Sequence, residues 1–151
     1  MPIFLKDECM TTTNKETITV ATTVNASLEK VWTVWNAPEH ITKWNSGSDD
    51  WHTPYAENDL RIGGRFHVRM EAKDGSAGFD FIGTYNEVKK NTMIAYTIEG
   101  GRYVKITFTG EGKTVKISET FDPENENSLE LQRSGWQKIL DNFKRHVESV
   151  Q

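Results

Sequence analysis

The chain has 151 residues, 36% of them hydrophobic, and a formal net charge of −4 from 18 basic and 22 acidic side chains. That length suits one domain with a substantial core, and the mixed, slightly acidic charge excludes phosphate-driven nucleic-acid binding. No apolar run approaches the ~20 residues of a membrane-spanning helix.

Residues 1–14 are expected to form a flexible tail ahead of a single domain at 15–151. The run Thr11-Thr12-Thr13-Asn14 is polar and aperiodic, and chain ends seldom order unless something holds them. Ile3, Phe4 and Leu5 could dock on a neighbour, and Met10 could be the true start. The one cysteine, Cys9, permits no internal disulfide. With no basic start followed by a long apolar stretch, no secretory signal is read, and a cytoplasmic location is expected. Asn25-Ala26-Ser27 then matches a glycosylation sequon by chance.

From Thr17 to Val24 residues alternate, with Ile18, Val20, Thr22 and Val24 on one face, which predicts a half-buried strand. Ser27 is a helix N-cap for the stripe Leu28, Val31, Trp32 and Trp35. Ala37-Pro38 ends that helix, and Pro38 opens a second short one, PEHITKW. Asn45 to Asp50 reads as a polar loop. After Trp51 the period becomes two. Gly64–Glu71 puts Phe66, Val68 and Met70 on one face and Arg65, His67, Arg69 and Glu71 on the other. Asp74-Gly75 is a hairpin signal. The strands Gly78–Val88, Met93–Glu99 and Tyr103–Thr109 follow, then one carrying Val115, Ile117, Glu119 and Phe121 in phase and ending at Asp122-Pro123. Sequential strands joined by tight turns pair antiparallel.

Ser128 to Val150 closes the chain. Leu129, Trp136, Ile139, Leu140, Phe143 and Val147 fall within roughly a 100° arc, one buried stripe of an amphipathic helix. Gln132 lies on that arc, and Gly135 sits mid-helix, where glycine costs ~1 kcal/mol against alanine. A polar side chain and a missing side chain on a core stripe predict a helix that lines a space. The expected class is α+β: an antiparallel sheet whose apolar face packs on the long helix, with a cavity between them.

Motifs narrow the chemistry. Gly112-Lys113-Thr114 looks like the end of a P-loop, but Thr107 stands where the first glycine is needed, and the segment joins two strands. No pair among His40, His52, His67 and His146 has zinc-site helical spacing. His40 and His52 bracket the polar loop and could reach a cavity mouth. Ser134-Gly135 lies inside a helix, not at a nucleophile elbow. Glu119 shares phase with apolar neighbours. If that phase faces the cavity, the acid is buried and its pKa raised, a candidate acid/base or ligand anchor; otherwise it reaches solvent at the strand end. Trp44 and Trp51 flank the polar loop and could gate a pocket or form a partner patch.

The segments VNASLEKVWTVWNAPEHITKW, RIGGRFHVRM, FIGTYNEV and LQRSGWQKILDNFKRHVES resemble the SRPBCC (START/Bet v 1-like) superfamily. Within it they resemble the group homologous to the C-terminal domain of the activator of the heat-shock-protein-90 ATPase. The resemblance covers about Thr17 to Ser149. Its most specific marks are Gly63-Gly64 and the Gly135-Trp136 step with Ile139-Leu140-Asp141-Asn142. It implies a helix-grip fold, a curved sheet wrapped around the C-terminal helix with two short helices after the first strand. It implies ligand binding (relatives hold lipids, sterols, polyketides or plant hormones), chemistry on aromatics in some relatives, or a co-chaperone role. It supplies no shared catalytic motif, and the Cys/His pair that holds an iron–sulfur cluster in some relatives is absent.

Three readings are therefore carried forward. The first is a small-molecule-binding protein for an apolar, aromatic or lipid-like ligand, lined by Trp44, Trp51, Phe66, Phe81, Tyr96, Phe108, Glu119, Gln132 and Trp136. Trp136 would give the floor, and Gln132 and Glu119 would orient a polar group. The second is a protein-interaction module, chaperone-linked or otherwise, with an exposed apolar patch near Trp44 or Trp51. The third is a cyclase- or hydrolase-like enzyme using Glu119 with His52 assisting. No metal or cofactor is expected.

Overall fold

The computed structural model describes residues 16–46 and 49–150. The expected tail, with Cys9 and Met10, lies outside the described residues. Ten elements follow in order: β1 (Ile18–Val24), α1 (Leu28–Asn36), α2 (Pro38–Trp44), β2 (Trp51–Asn58), β3 (Arg65–Ala72), β4 (Gly78–Lys89), β5 (Met93–Ile98), β6 (Arg102–Glu111), β7 (Thr114–Phe121) and α3 (Leu129–Ser149). The strands form one seven-stranded sheet in the order β1-β7-β6-β5-β4-β3-β2. Every neighbouring pair is antiparallel. This is the helix-grip arrangement, with α3 lying across the concave face.

Local chemistry sets the helix ends. Ser27 accepts a hydrogen bond from Lys30 N at the start of α1, and Ser128 accepts one from Leu131 N at the start of α3, each satisfying an otherwise orphaned helix N–H. Ala37 ends α1 in an extended conformation and also precedes Pro38, the first residue of α2. These two helices occupy the crossover that carries the chain from β1, at one sheet edge, to β2, at the other.

Strand β2 was not among the expected elements. Its residues, WHTPYAEN, lack clean alternation, and Pro54 argues against a strand. Its place at the sheet edge explains the exception, since an edge strand tolerates a residue with no N–H to donate. Its pairing with β3 shifts register between His52 and Tyr55, the step that contains Pro54.

The core lies between sheet and helices. Phe143 and Val147 of α3 are fully buried and Leu140 is nearly so, as are Val115, Ile117, Val104 and Ile106 of the sheet. Leu129, expected on the same stripe, is 40% exposed because the first turn of α3 overhangs the packed face. Gly83 on β4 is required by a close approach, since a Cβ there would fall 2.5 Å from the Phe66 ring. Gly83→Ala is expected to destabilise by ~1–3 kcal/mol through that overlap, read as a lower denaturant midpoint at unchanged m.

Candidate functional site

Where the sheet curves away from α3, packing stops and a cavity of about 520 Å³ opens. Its walls come from the end of α1, from α2 and α3, and from the concave face of the sheet. Phe66 meets Tyr96 edge to face at 4.7 Å and lies tilted against Phe81 at 5.5 Å. Trp136 stacks on Phe121 at 3.8 Å and sets its edge toward Phe81 at 6.3 Å. These rings fill one end of the fold incompletely, because flat side chains from a curved sheet and a straight helix diverge. Gly135 of α3 lines the same space, and a Cβ there would meet nothing within 4 Å.

Glu119 enters from β7, opposite Val20 of β1 and Ile106 of β6. It is 7% exposed and makes no side-chain hydrogen bond to any described residue. Burial alone pushes its carboxyl up from an ordinary 4.5 to about 8. Tyr96 faces the same cavity from β5. Its phenol is raised well above the ordinary value, first by burial and then by the Glu119 charge. The two groups therefore share one low-dielectric space. Tyr85 is raised too, by burial, and donates from its hydroxyl to Asn58 Oδ1 at 2.5 Å.

The structure brings most of the expected lining residues together. Trp44, Trp51, Phe66, Phe81, Tyr96, Glu119, Gln132 and Trp136 all border the cavity. Gln132 does so with its polar atoms already engaged. Its Oε1 accepts from Glu124 N at 2.8 Å, and its Nε2 donates to Asn127 O at 2.8 Å and Glu124 O at 3.2 Å. It clamps the loop before α3. Trp51, at the start of β2, lies 6.0 Å from Phe79, which is 47% exposed and stands at the mouth.

Several expectations need correction. Phe108 does not line the cavity; it sits edge-on between Trp32 at 5.5 Å and Trp35 at 5.6 Å. It shares the inward phase of β6, but α1 covers that end of the strand, and phase alone does not say which end is covered. Trp44 is no surface patch: it is 5% exposed and packs between Trp35 at 4.8 Å and Phe143 at 5.0 Å. Its indole Nε1 is buried without a hydrogen-bond partner among the described residues. His52 faces outward, 3.7 Å from Glu71, so it cannot assist Glu119. His40 turns away as well, its Nδ1 lying 2.9 Å from His146 Nε2. As its place between two strands implied, Gly112-Lys113 is the hairpin turn between β6 and β7, and Thr114 opens β7.

Arg102 and Asn58 also border the cavity. Asn58 was missed because β2 itself was missed. Arg102 carries no periodic signal, since it is the first residue of its strand. Among the described residues no group of three His, Cys, Asp or Glu could hold a metal ion, and no helix is long and apolar enough to cross a membrane.

A model of the family "Activator of Hsp90 ATPase homolog 1-like protein" matches residues 25–148. No curated protein matches. Among solved structures, the AHSA1-like protein from Aeromonas hydrophila is 44% identical, with a TM-score of 0.83 over 89% of this chain and 93% of that one. A protein from Cytophaga hutchinsonii is 56% identical, with a TM-score of 0.77 over 89% and 92%. A protein from Chromobacterium violaceum, 23% identical, shares the fold with a TM-score of 0.81 over 89% and 99%.

Proposed function

This chain belongs to the Activator of Hsp90 ATPase homolog 1-like family, and we propose that within that family it is a binding protein for a small apolar or aromatic molecule. The observation that carries the reading is the aromatic-walled volume of about 520 Å³ between sheet and α3. Ligand pockets run from ~300 to ~1,000 Å³, mostly apolar with few placed polar groups. The ring walls and the buried acid of Glu119 fit that description. Burial of Trp44 removes the main ground for an exposed docking patch there, so an enclosed ligand is favoured over a protein partner.

Gly135 supplies the test. Gly135→Ala is expected to stabilise the protein by ~0.5–1 kcal/mol, because it removes a mid-helix glycine without a clash. Gly135→Leu keeps the helix but extends a side chain into the cavity. The neutral fluorophore N-phenyl-1-naphthylamine is expected to bind the parent protein and the alanine variant, and to lose affinity for the leucine variant. Equal binding to all three would sink the cavity as the ligand site.

A further inference from the structure

The polar side chains around the cavity are nearly all engaged. Gln132 holds the loop before α3, Tyr85 donates to Asn58, and Arg102 Nε donates to Asp122 O at 3.1 Å. Glu119 is the acidic exception, and the buried Trp44 Nε1 is a second group without a partner among the described residues. Glu119 is 93% buried by the exposure of 7%, it lines the cavity, and no described residue hydrogen-bonds its carboxyl. Its strand neighbours Val20 and Ile106 offer no donor. α3 contributes Trp136 and Ile139 to the same cavity, together with Gln132, whose amide is taken. Arg102 and Glu124 also border the cavity, yet burial is the sole cause acting on the Glu119 ionisation.

A buried acceptor without a donor is costly, and a carboxylate offers about four acceptor sites. The rings of Phe66, Phe81, Tyr96 and Trp136 stand around the same space, and aromatic faces attract cations. We propose that the cavity takes an aromatic or alicyclic amine, with its ammonium group on the Glu119 carboxylate beside the Tyr96 hydroxyl and its ring body among Phe66, Phe81 and Trp136. This rests on the cavity reading above. An ammonium brings up to three donors and a charge, and a hydroxyl only one donor; Arg102 borders the same cavity and its charge reaches Tyr96, but it adds no shift to Glu119, so the Glu119 carboxylate is left for the ligand's cation.

The proton balance follows. At neutral pH the buried acid is mostly protonated, since its value is about 8. When an ammonium ligand enters, the Glu119 O–H bond breaks and the proton leaves to the buffer, while the ligand keeps its own N–H bonds. A hydroxyl ligand leaves the acid protonated.

Titration calorimetry at pH 7, in two buffers of different ionisation enthalpy, reads both affinity and proton release. The probes are 2-(1-naphthyl)ethylamine and 2-(1-naphthyl)ethanol. The amine is expected to bind more tightly and to release nearly one proton, the alcohol none. Glu119→Gln should weaken the amine by about ten- to hundredfold and leave the alcohol nearly unchanged. Equal affinities for amine and alcohol, or an amine affinity unmoved by Glu119→Gln, would overturn the amine assignment while leaving the cavity reading in place. Binding of neither probe would overturn both.

Discussion

Glu119→Gln is expected to stabilise the free protein by an amount that grows with pH, from near zero at about pH 4 to about 5 kcal/mol above about pH 8. In the unfolded chain this carboxyl titrates at its ordinary 4.5, and in the folded protein burial pushes it up to about 8. Between those values the native state keeps a proton that the unfolded state has released. Stability of the parent protein therefore falls as pH rises through that window, by about 1.4 kcal/mol per pH unit, and levels off above it. Below 4.5 both states are protonated and the group's favourable contribution is complete. Glutamine fills the same space without titrating, so the parent and variant curves diverge upward with pH. Urea midpoints measured across the range check the effect. A constant difference between the two proteins would mean that the carboxyl reaches solvent in the native state. An acid that destabilises its own fold at neutral pH fits a group placed for ligand recognition.

Phe143→Ala is expected to cost ~3–5 kcal/mol, and Trp136→Ala less, at roughly 2 kcal/mol, although tryptophan is the larger residue. Phe143 is fully buried and wedged edge-on against Trp35 at 4.7 Å and Trp44 at 5.0 Å. Removing it leaves a hole that its rigid neighbours cannot fill. Trp136 is only partly buried. One face stacks on Phe121 and the rest borders a space that is already open, so its loss removes fewer contacts and creates less new void. For a chain of this length the phenylalanine variant should melt about 10 °C lower. The reverse order of the two variants would place the packed core at the Trp136 end of α3 and close the cavity.

Much of the fold was legible because periodicity is a local property. The inward phases of β3, β5 and β7 are visible as alternation. The α3 stripe is visible at helical spacing, with both of its misfits. Gln132 and Gly135 do border the cavity, so a polar residue and a glycine on an apolar arc were a genuine signal of unfilled space. The role of Gln132 was not legible, since its partners Glu124 and Asn127 are backbone groups of a loop whose path depends on how β7 hands over to α3. Strand β2 was hidden because an edge strand escapes the alternation and proline rules that mark central strands. Phe108 and Glu119 make the sharpest contrast. Both point inward from neighbouring strands, yet one is sealed by α1 and the other faces the cavity.

The sequence alone determined the element types apart from β2, the antiparallel α+β class, the two misfits on the last helix and the phase that Glu119 shares with Val115, Ile117 and Phe121, because each depends on residues close together in the chain. Only the tertiary structure decided which inward residues meet solid packing and which meet space. That depends on where α1, α2 and α3 cross a curved sheet, a set of contacts between residues far apart in sequence. The same crossing buries Glu119 with no hydrogen-bond partner among the described residues.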